Sequence, residues 1–331
     1  MTTRHAIAWA HGMASVQALG GMLGPVTFLL PDGRQVSPLH VAPWFSEPTR
    51  STHPPILQDL RGEWPCVPFG TDVPRTLPQY WSATGETFDG ANIPHGHSSN
   101  TEWAFTNIAP DRVELTCDYP ATHPIRRLTR TIAADPNAAA VDITLTVQAR
   151  RPCRLPIGLH PTLRLPTTGQ ARLAPPAFRK GRVFPLDVEP GQGLLQPGAT
   201  FSDLATVPRR DSRTLSLAQL PLPDNTEELV QLCGVTGGFR LHHPDDWHVT
   251  LDWDTQHFPS LLLWISNRGR AYAPWNSRHV ALGVEPVCAA FDLGPAVSNA
   301  PNPISATGTL TAHAFDPEHP FTTRYRIGVS A

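Results

Sequence analysis

Proline sets the first limit on what this chain can become. The 331 residues include 37 prolines and 24 glycines, and only 16% of them are charged. Proline removes a backbone donor and clashes with the preceding helical turn, whereas turns and strand ends accept it. Long helices are therefore excluded, and short strands joined by many turns are expected.

The hydrophobic pattern agrees. Val113, Leu115, Cys117 and Tyr119 alternate with Glu114, Thr116 and Asp118, and Val141, Ile143, Leu145 and Val147 alternate with Asp142, Thr144, Thr146 and Gln148. Such period-two runs bury one face of a strand and wet the other. The pattern returns at Val249, Leu251 and Trp253 and at Tyr325, Ile327 and Val329, while Leu261–Ile265 is continuously apolar, as in a strand buried on both faces. Residues 24–30 read as a strand entering a turn at Pro31–Arg34, with Gln35 and Val36 starting its return. The expected fold class is an all-β, large antiparallel β-sandwich with very little helix. With no composition shift and no fixed repeat, residues 1–331 are expected to form a single domain. Two proline-rich stretches, 43–78 and 175–197, are expected to be long loops that cover an edge or serve function. Residues 165–225 show no clear elements.

Charge excludes some partners. The formal net charge is −2, from 26 basic and 28 acidic residues, and no run of five like charges occurs. Neither nucleic acid nor an anionic membrane surface is expected as a partner. Five scattered cysteines without CxxC spacing read as reduced thiols rather than a zinc or redox site. The segment Met1 to Gly24 is interrupted by His11, Gly12, Gly20 and Gly21, a poor secretory core, so a cytoplasmic location is expected. Met13 is a candidate start, because strand-like alternation begins after it, at Val16–Leu19.

Two short motifs are the leading candidates for chemistry: Gly158-Leu159-His160-Pro161 and Gly283-Val284-Glu285-Pro286. Each sets one proton-handling side chain beside a proline. An imidazole and a carboxylate meeting in a cleft can protonate one oxygen while deprotonating another, which suffices to open and close a sugar ring. Taken alone, His160 reads first as a strand-end histidine satisfied by a backbone carbonyl. Glu285 leaves an apolar run and needs a partner, a ligand or a proton; its bland alternative is an ion pair with Arg268, Arg270 or Arg278. His95 and His97, two apart, would point the same way in a strand, and with His242, His243 and His248 allow a weakly supported metal site; no metal is expected. Gly96 would let backbone approach a ligand, and Trp103 offers a flat face for a sugar or, equally, for the core. No GxSxG, P-loop or GxGxxG pattern occurs, which leaves cofactor-free chemistry.

In order along nearly the whole chain, Gly20-Gly21, Pro38-Leu39-His40, Arg61–Gly70, His95-Gly96 with Trp103, the two motifs above and Leu262-Leu263-Trp264 resemble the aldose 1-epimerase (galactose mutarotase-like) superfamily. The resemblance implies Glu285 as general base and His160 as general acid, with His95 holding a sugar oxygen and no metal or nucleotide cofactor. The family's substrate-binding aspartate matches best to Asp224, with Asp252 and Asp254 as rivals. Arg61 is a loose counterpart of an early-loop arginine, and Trp103 and Trp64 would stack on the sugar. Two departures bear on substrate. Ser99 stands where sugar-phosphate epimerases carry an arginine, and Thr162-Leu163 replace aromatics of the galactose branch. The implied activity is epimerisation of a neutral aldose at its anomeric carbon. The alternatives are a non-catalytic sugar-binding protein, a hexose-phosphate epimerase, or a glycoside-active enzyme using Glu285 with one of the three aspartates.

Overall fold

The alternating runs pair side by side with antiparallel register throughout two large sheets in the computed structural model, which describes residues 2–84 and 88–331. In the nine-stranded sheet, Trp247–Trp253, Phe321–Ser330, Ala140–Ala149, Ile125–Ala134 and Arg112–Asp118 lie consecutively. The eight-stranded sheet has Thr226–Cys233, Ser260–Asn267 and Val280–Cys288 at its centre, with Ile157–Leu159 and Pro65–Cys66 beyond.

Alternate side chains of the two sheets share one buried cluster: Ile143, Leu145, Val249 and Ile327 from one, Val230, Leu263, Leu282 and Val284 from the other. Each of these fully buried side chains is worth roughly 1.5–3 kcal/mol of transfer free energy. The opposite face of the eight-stranded sheet is covered as well. Leu229, Leu262, Trp264 and Val287 pack there with Trp44, Trp64, Phe69 and Phe291 in a second apolar cluster. Double coverage is why every residue of Ser260–Asn267 is buried, as the apolar run 261–265 predicts.

Several expectations are corrected. Alternation does not begin at Val16: Arg4–Trp9 forms a strand paired with Gly12–Gln17, and its polar residues hid it because only Ile7 is fully buried on this edge. Residues 165–225 hold six short strands, from Ala171–Ala174 to Gln219–Leu220, each too brief for a period to show. His95 and His97 are not on a strand. His95 takes a left-handed conformation (φ 55°) before the short helix Gly96–Asn100, and His97 turns away to the carbonyl of Asp118. Gly96 (φ 76°) serves the backbone: a Cβ there would overlap the carbonyl of Val67.

Candidate active site

Strand register brings the two proline motifs together. Ile157 and Gly158 pair with Cys288 and Val287, and Thr162–Arg164 pair with Gly283 back to Ala281. The register is the same on both sides of the gap, so His160 stands directly across from Glu285. The gap has a chemical cause: Pro161 and Pro286 each lack the N–H that would continue the ladder. The Val284 N–H still donates to the Pro161 carbonyl at 2.8 Å, and the His160 N–H turns to the carbonyl of Trp64 at 2.9 Å. Across this opening His160 Nε2 lies 3.5 Å from Glu285 Oε1, with both side chains buried.

The alternation that sends Leu282 and Val284 into the inter-sheet core sends Gly283, Glu285 and Val287 to the other face. Gly283 makes room there. A Cβ on it would overlap Oε1 of Glu285 and come within 3.0 Å of Trp264 Cβ, so the carboxylate lies over the bare glycine. Trp64 stacks on the His160 ring with centroids 4.1 Å apart and planes 15° from parallel. Its neighbour Glu63 is anchored in the other sheet by a buried ion pair with Arg130 and a 2.6 Å hydrogen bond from Tyr325 Oη. His95 meets His160 edge-on at 5.1 Å. The Gly70 N–H donates to its Nδ1 at 3.4 Å, which leaves Nε2 to carry the proton of the neutral ring.

These side chains open on a cavity of about 260 Å³, lined by Trp64, His95, His160, Glu285, Asp292 and Arg270 together with apolar residues. The long segment 43–78 supplies Pro54, Ile56, Leu57 and Leu60, and 175–197 supplies Val188. Neither segment is loop throughout, since Pro65–Cys66 and Lys180–Val183 are strands of the eight-stranded sheet, but parts of both line the site. Asp292 is delivered by a tight turn in which Gln231 bonds both the Ala289 carbonyl (2.9 Å) and the Phe291 N–H (2.7 Å). Arg270 lies over Trp275 and Trp264, 4.5 and 5.4 Å from their ring centroids, and faces Glu189 at 3.6 Å and Glu227 at 3.9 Å.

Burial governs the electrostatics. It raises the Glu285 carboxyl well above the usual carboxylate range, and the negative charge of Asp292 adds to this. Burial likewise holds the His160 imidazole well below its ordinary value, helped by repulsion from His95, and lowers His95 to about 4. An imidazolium and a carboxylate in contact would ordinarily stabilise each other's charge; here desolvation pulls both toward their neutral forms. A neutral Glu285–His160 pair and its ion pair hold the same number of protons, so one transfer interconverts them.

Of the seven residues named from sequence, the cavity collects Glu285, His160, His95 and Trp64. Trp103 is absent because its ring is buried against Gly21 and its Nε1 donates to the Ser98 carbonyl at 2.8 Å. Arg61 is buried beside Asp59, with Nη2 3.2 Å from Oδ1, a carboxylate it shares with Arg4 and Arg50. Asp224 is exposed in the loop before Thr226–Cys233, Asp252 lies on the nine-stranded sheet, and Asp254 pairs with His257. None of the three reaches Glu285. Nor do the arginines of the bland alternative: Arg278 pairs with Glu47, Arg268 bonds Asn225, and Arg270 faces Glu189 and Glu227. Arg270, named from sequence only as an ion-pair partner, lines the cavity, and Asp292 was missed; the small residues Ala289-Ala290 after Glu285 were the available sign of its tight return. Among the described residues, no group of three His, Cys, Asp or Glu side chains is placed to hold a metal ion, and no helix is long and apolar enough to cross a membrane.

The architecture is the galactose mutarotase-like fold, an antiparallel supersandwich, and here a histidine and a glutamate face one another across one sheet. Solved structures carry the same fold over the full length. The GalM/aldose epimerase homologue from C. elegans superposes with a TM-score of 0.66 at 13% identity, covering 100% of this chain and 99% of that one. A galactose mutarotase-like protein from Lactobacillus casei ATCC 334 gives 0.62 at 15% (99% and 100%), and a provisionally assigned aldose 1-epimerase from Escherichia coli K12 gives 0.64 at 16% (100% and 99%). No family model and no curated protein matches the chain.

Proposed function

We propose that the chain, as one domain, is an aldose 1-epimerase that interconverts the α and β anomers of a neutral aldose by acid/base ring opening. The observation that supports this most is the 3.5 Å approach of two buried proton carriers, His160 and Glu285, in a cavity on a fold shared with aldose epimerase homologues. Glu285, as carboxylate, takes the proton of the anomeric hydroxyl while His160, as imidazolium, protonates the ring oxygen. The C1–O5 bond breaks, the aldehyde rotates about C1–C2, and reclosure returns both protons. After opening, the pair is left as carboxylic acid and neutral imidazole. That is the state burial favours, so the site lowers the energy of the open-chain intermediate relative to the ring. His95 and Asp292 hold further hydroxyls.

Arg270 supports a neutral rather than phosphorylated substrate, because its charge already faces Glu189 and Glu227. The five unpaired cysteines suit a reducing, cytoplasmic setting. Polarimetry of fresh α-anomers tests the reading. Wild type should beat the spontaneous rate, and Glu285→Gln and His160→Asn should each lose about a hundredfold or more. Failure of wild type to accelerate any sugar would leave the protein a binder on the same fold.

A further inference from the structure

A hexopyranose presents a hydroxyl on nearly every ring carbon, and each one taken out of water needs a partner. This cavity supplies few. On the epimerase reading, Glu285 and His160 are committed to the anomeric hydroxyl and the ring oxygen, which leaves His95, Asp292, the unpartnered Nε1–H of Trp64 and the Nε–H of Arg270, which faces Glu189 and Glu227 without a hydrogen bond, for everything else. The walls beyond them are hydrocarbon: Ile56, Leu57, Leu60 and Val188 from the covering segments, Leu229 and Leu262 from the sheet. Tryptophan faces do not make up the difference. One face of Trp64 is covered by the His160 ring, and one face of Trp264 by His279, 5.5 Å away and 22° from parallel.

We propose that this site selects an aldose in which hydroxyls away from C1 are replaced by apolar groups, a deoxy or O-alkylated aldose, in preference to the fully hydroxylated hexose. The inference rests on the epimerase reading for the placement of C1 and on the aliphatic walls for the rest. A hydroxyl pressed against Leu57 or Val188 loses its water without gaining a partner, whereas a methyl or methoxy group there is favoured. Discrimination of roughly tenfold or more per replaced hydroxyl follows from a pocket of this kind.

Matched pairs separate this from the parent reading: D-glucose against 6-deoxy-D-glucose and 3-O-methyl-D-glucose, and D-galactose against 6-deoxy-D-galactose. Affinity is measured by calorimetry on Glu285→Gln, which reads selectivity without turnover, and kcat/KM on wild type by anomeric exchange NMR. The expected result is at least one deoxy or methylated sugar preferred about tenfold over its parent in both assays. Leu57→Asn and, independently, Val188→Thr should each shrink that preference severalfold. Parent hexoses bound and turned over as well as their derivatives would overturn the substrate class and leave the epimerase standing. Selective binding without acceleration by wild type would overturn the epimerase and keep the ligand class. No binding by any member of the panel would overturn the ligand class.

Discussion

Adding one methyl group at Gly283 tests the site at its tightest point. Gly283 sits in regular strand, so alanine costs the backbone nothing there and its effect is steric. The new Cβ would overlap Oε1 of Glu285 and press on Trp264 Cβ at 3.0 Å. The strand Ser260–Asn267 is paired on both sides, so Trp264 has little freedom to retreat and the carboxylate must swing off the glycine. Overpacking of this kind costs about 1–3 kcal/mol, read as a lower urea midpoint with an unchanged slope. A displacement of the order of 1 Å at a reacting group costs about a hundredfold in rate. On the epimerase reading, Gly283→Ala should therefore lose roughly two orders of magnitude in kcat for mutarotation while remaining folded, with KM changing much less. The comparison variant is Gly158→Ala, whose Cβ would instead strike the Phe69 ring and should lower stability first. If Gly283→Ala folds and turns over at the wild-type rate, the position of the Glu285 carboxylate does not matter to the chemistry, and the proton-transfer argument built on it fails.

Three further outcomes follow from the same geometry. Asp292→Asn removes the negative charge that, after burial, raises Glu285; the acidic limb of the kcat/KM profile should move to lower pH, and an unmoved limb would mean that Asp292 does not act on Glu285. Trp103→Phe should destabilise by about 1–3 kcal/mol through the lost bond to Ser98 and leave kcat unaltered, since the ring lies outside the cavity; a selective loss of rate would return Trp103 to the site. Acid sensitivity has a defined sign: His40 and His95 are lowered by burial to about 4, while unfolded histidines titrate near ~6.5. The unfolded chain therefore takes up protons first as pH falls, stability is lost between about pH 6.5 and 4, and the urea midpoint at pH 5 should lie below that at pH 7.

Local pattern made much of this legible in advance. The strands Arg112–Asp118, Ala140–Ala149, Trp247–Trp253 and Phe321–Ser330 each alternate over enough residues for the period to show, and Ser260–Asn267 announces double burial by its unbroken apolar run. Arg4–Trp9 and the brief strands of 165–225 were not legible, because an edge strand with one buried residue and a two-residue ladder have no period to read. At the site, His160 and Glu285 could be singled out by their prolines. Trp103 and Arg61 misled, because an aromatic or a cation suited to a ligand suits a hydrogen-bonded core position or a buried carboxylate equally well.

Composition and alternation alone determined that this chain is all-β, because proline density and period two act within a few residues. The two short proline motifs singled out His160 and Glu285 as candidate proton carriers. That the carriers stand opposite one another was decided only by tertiary structure, since strands far apart in sequence had to pair in one register for His160 to meet Glu285. The same holds for the direction of their proton affinities. The segments 43–78 and 175–197, distant in the chain, close over the site and desolvate it, while a tight turn returns the charge of Asp292 toward Glu285; together they reverse the mutual stabilisation that a histidine beside a carboxylate suggests on paper.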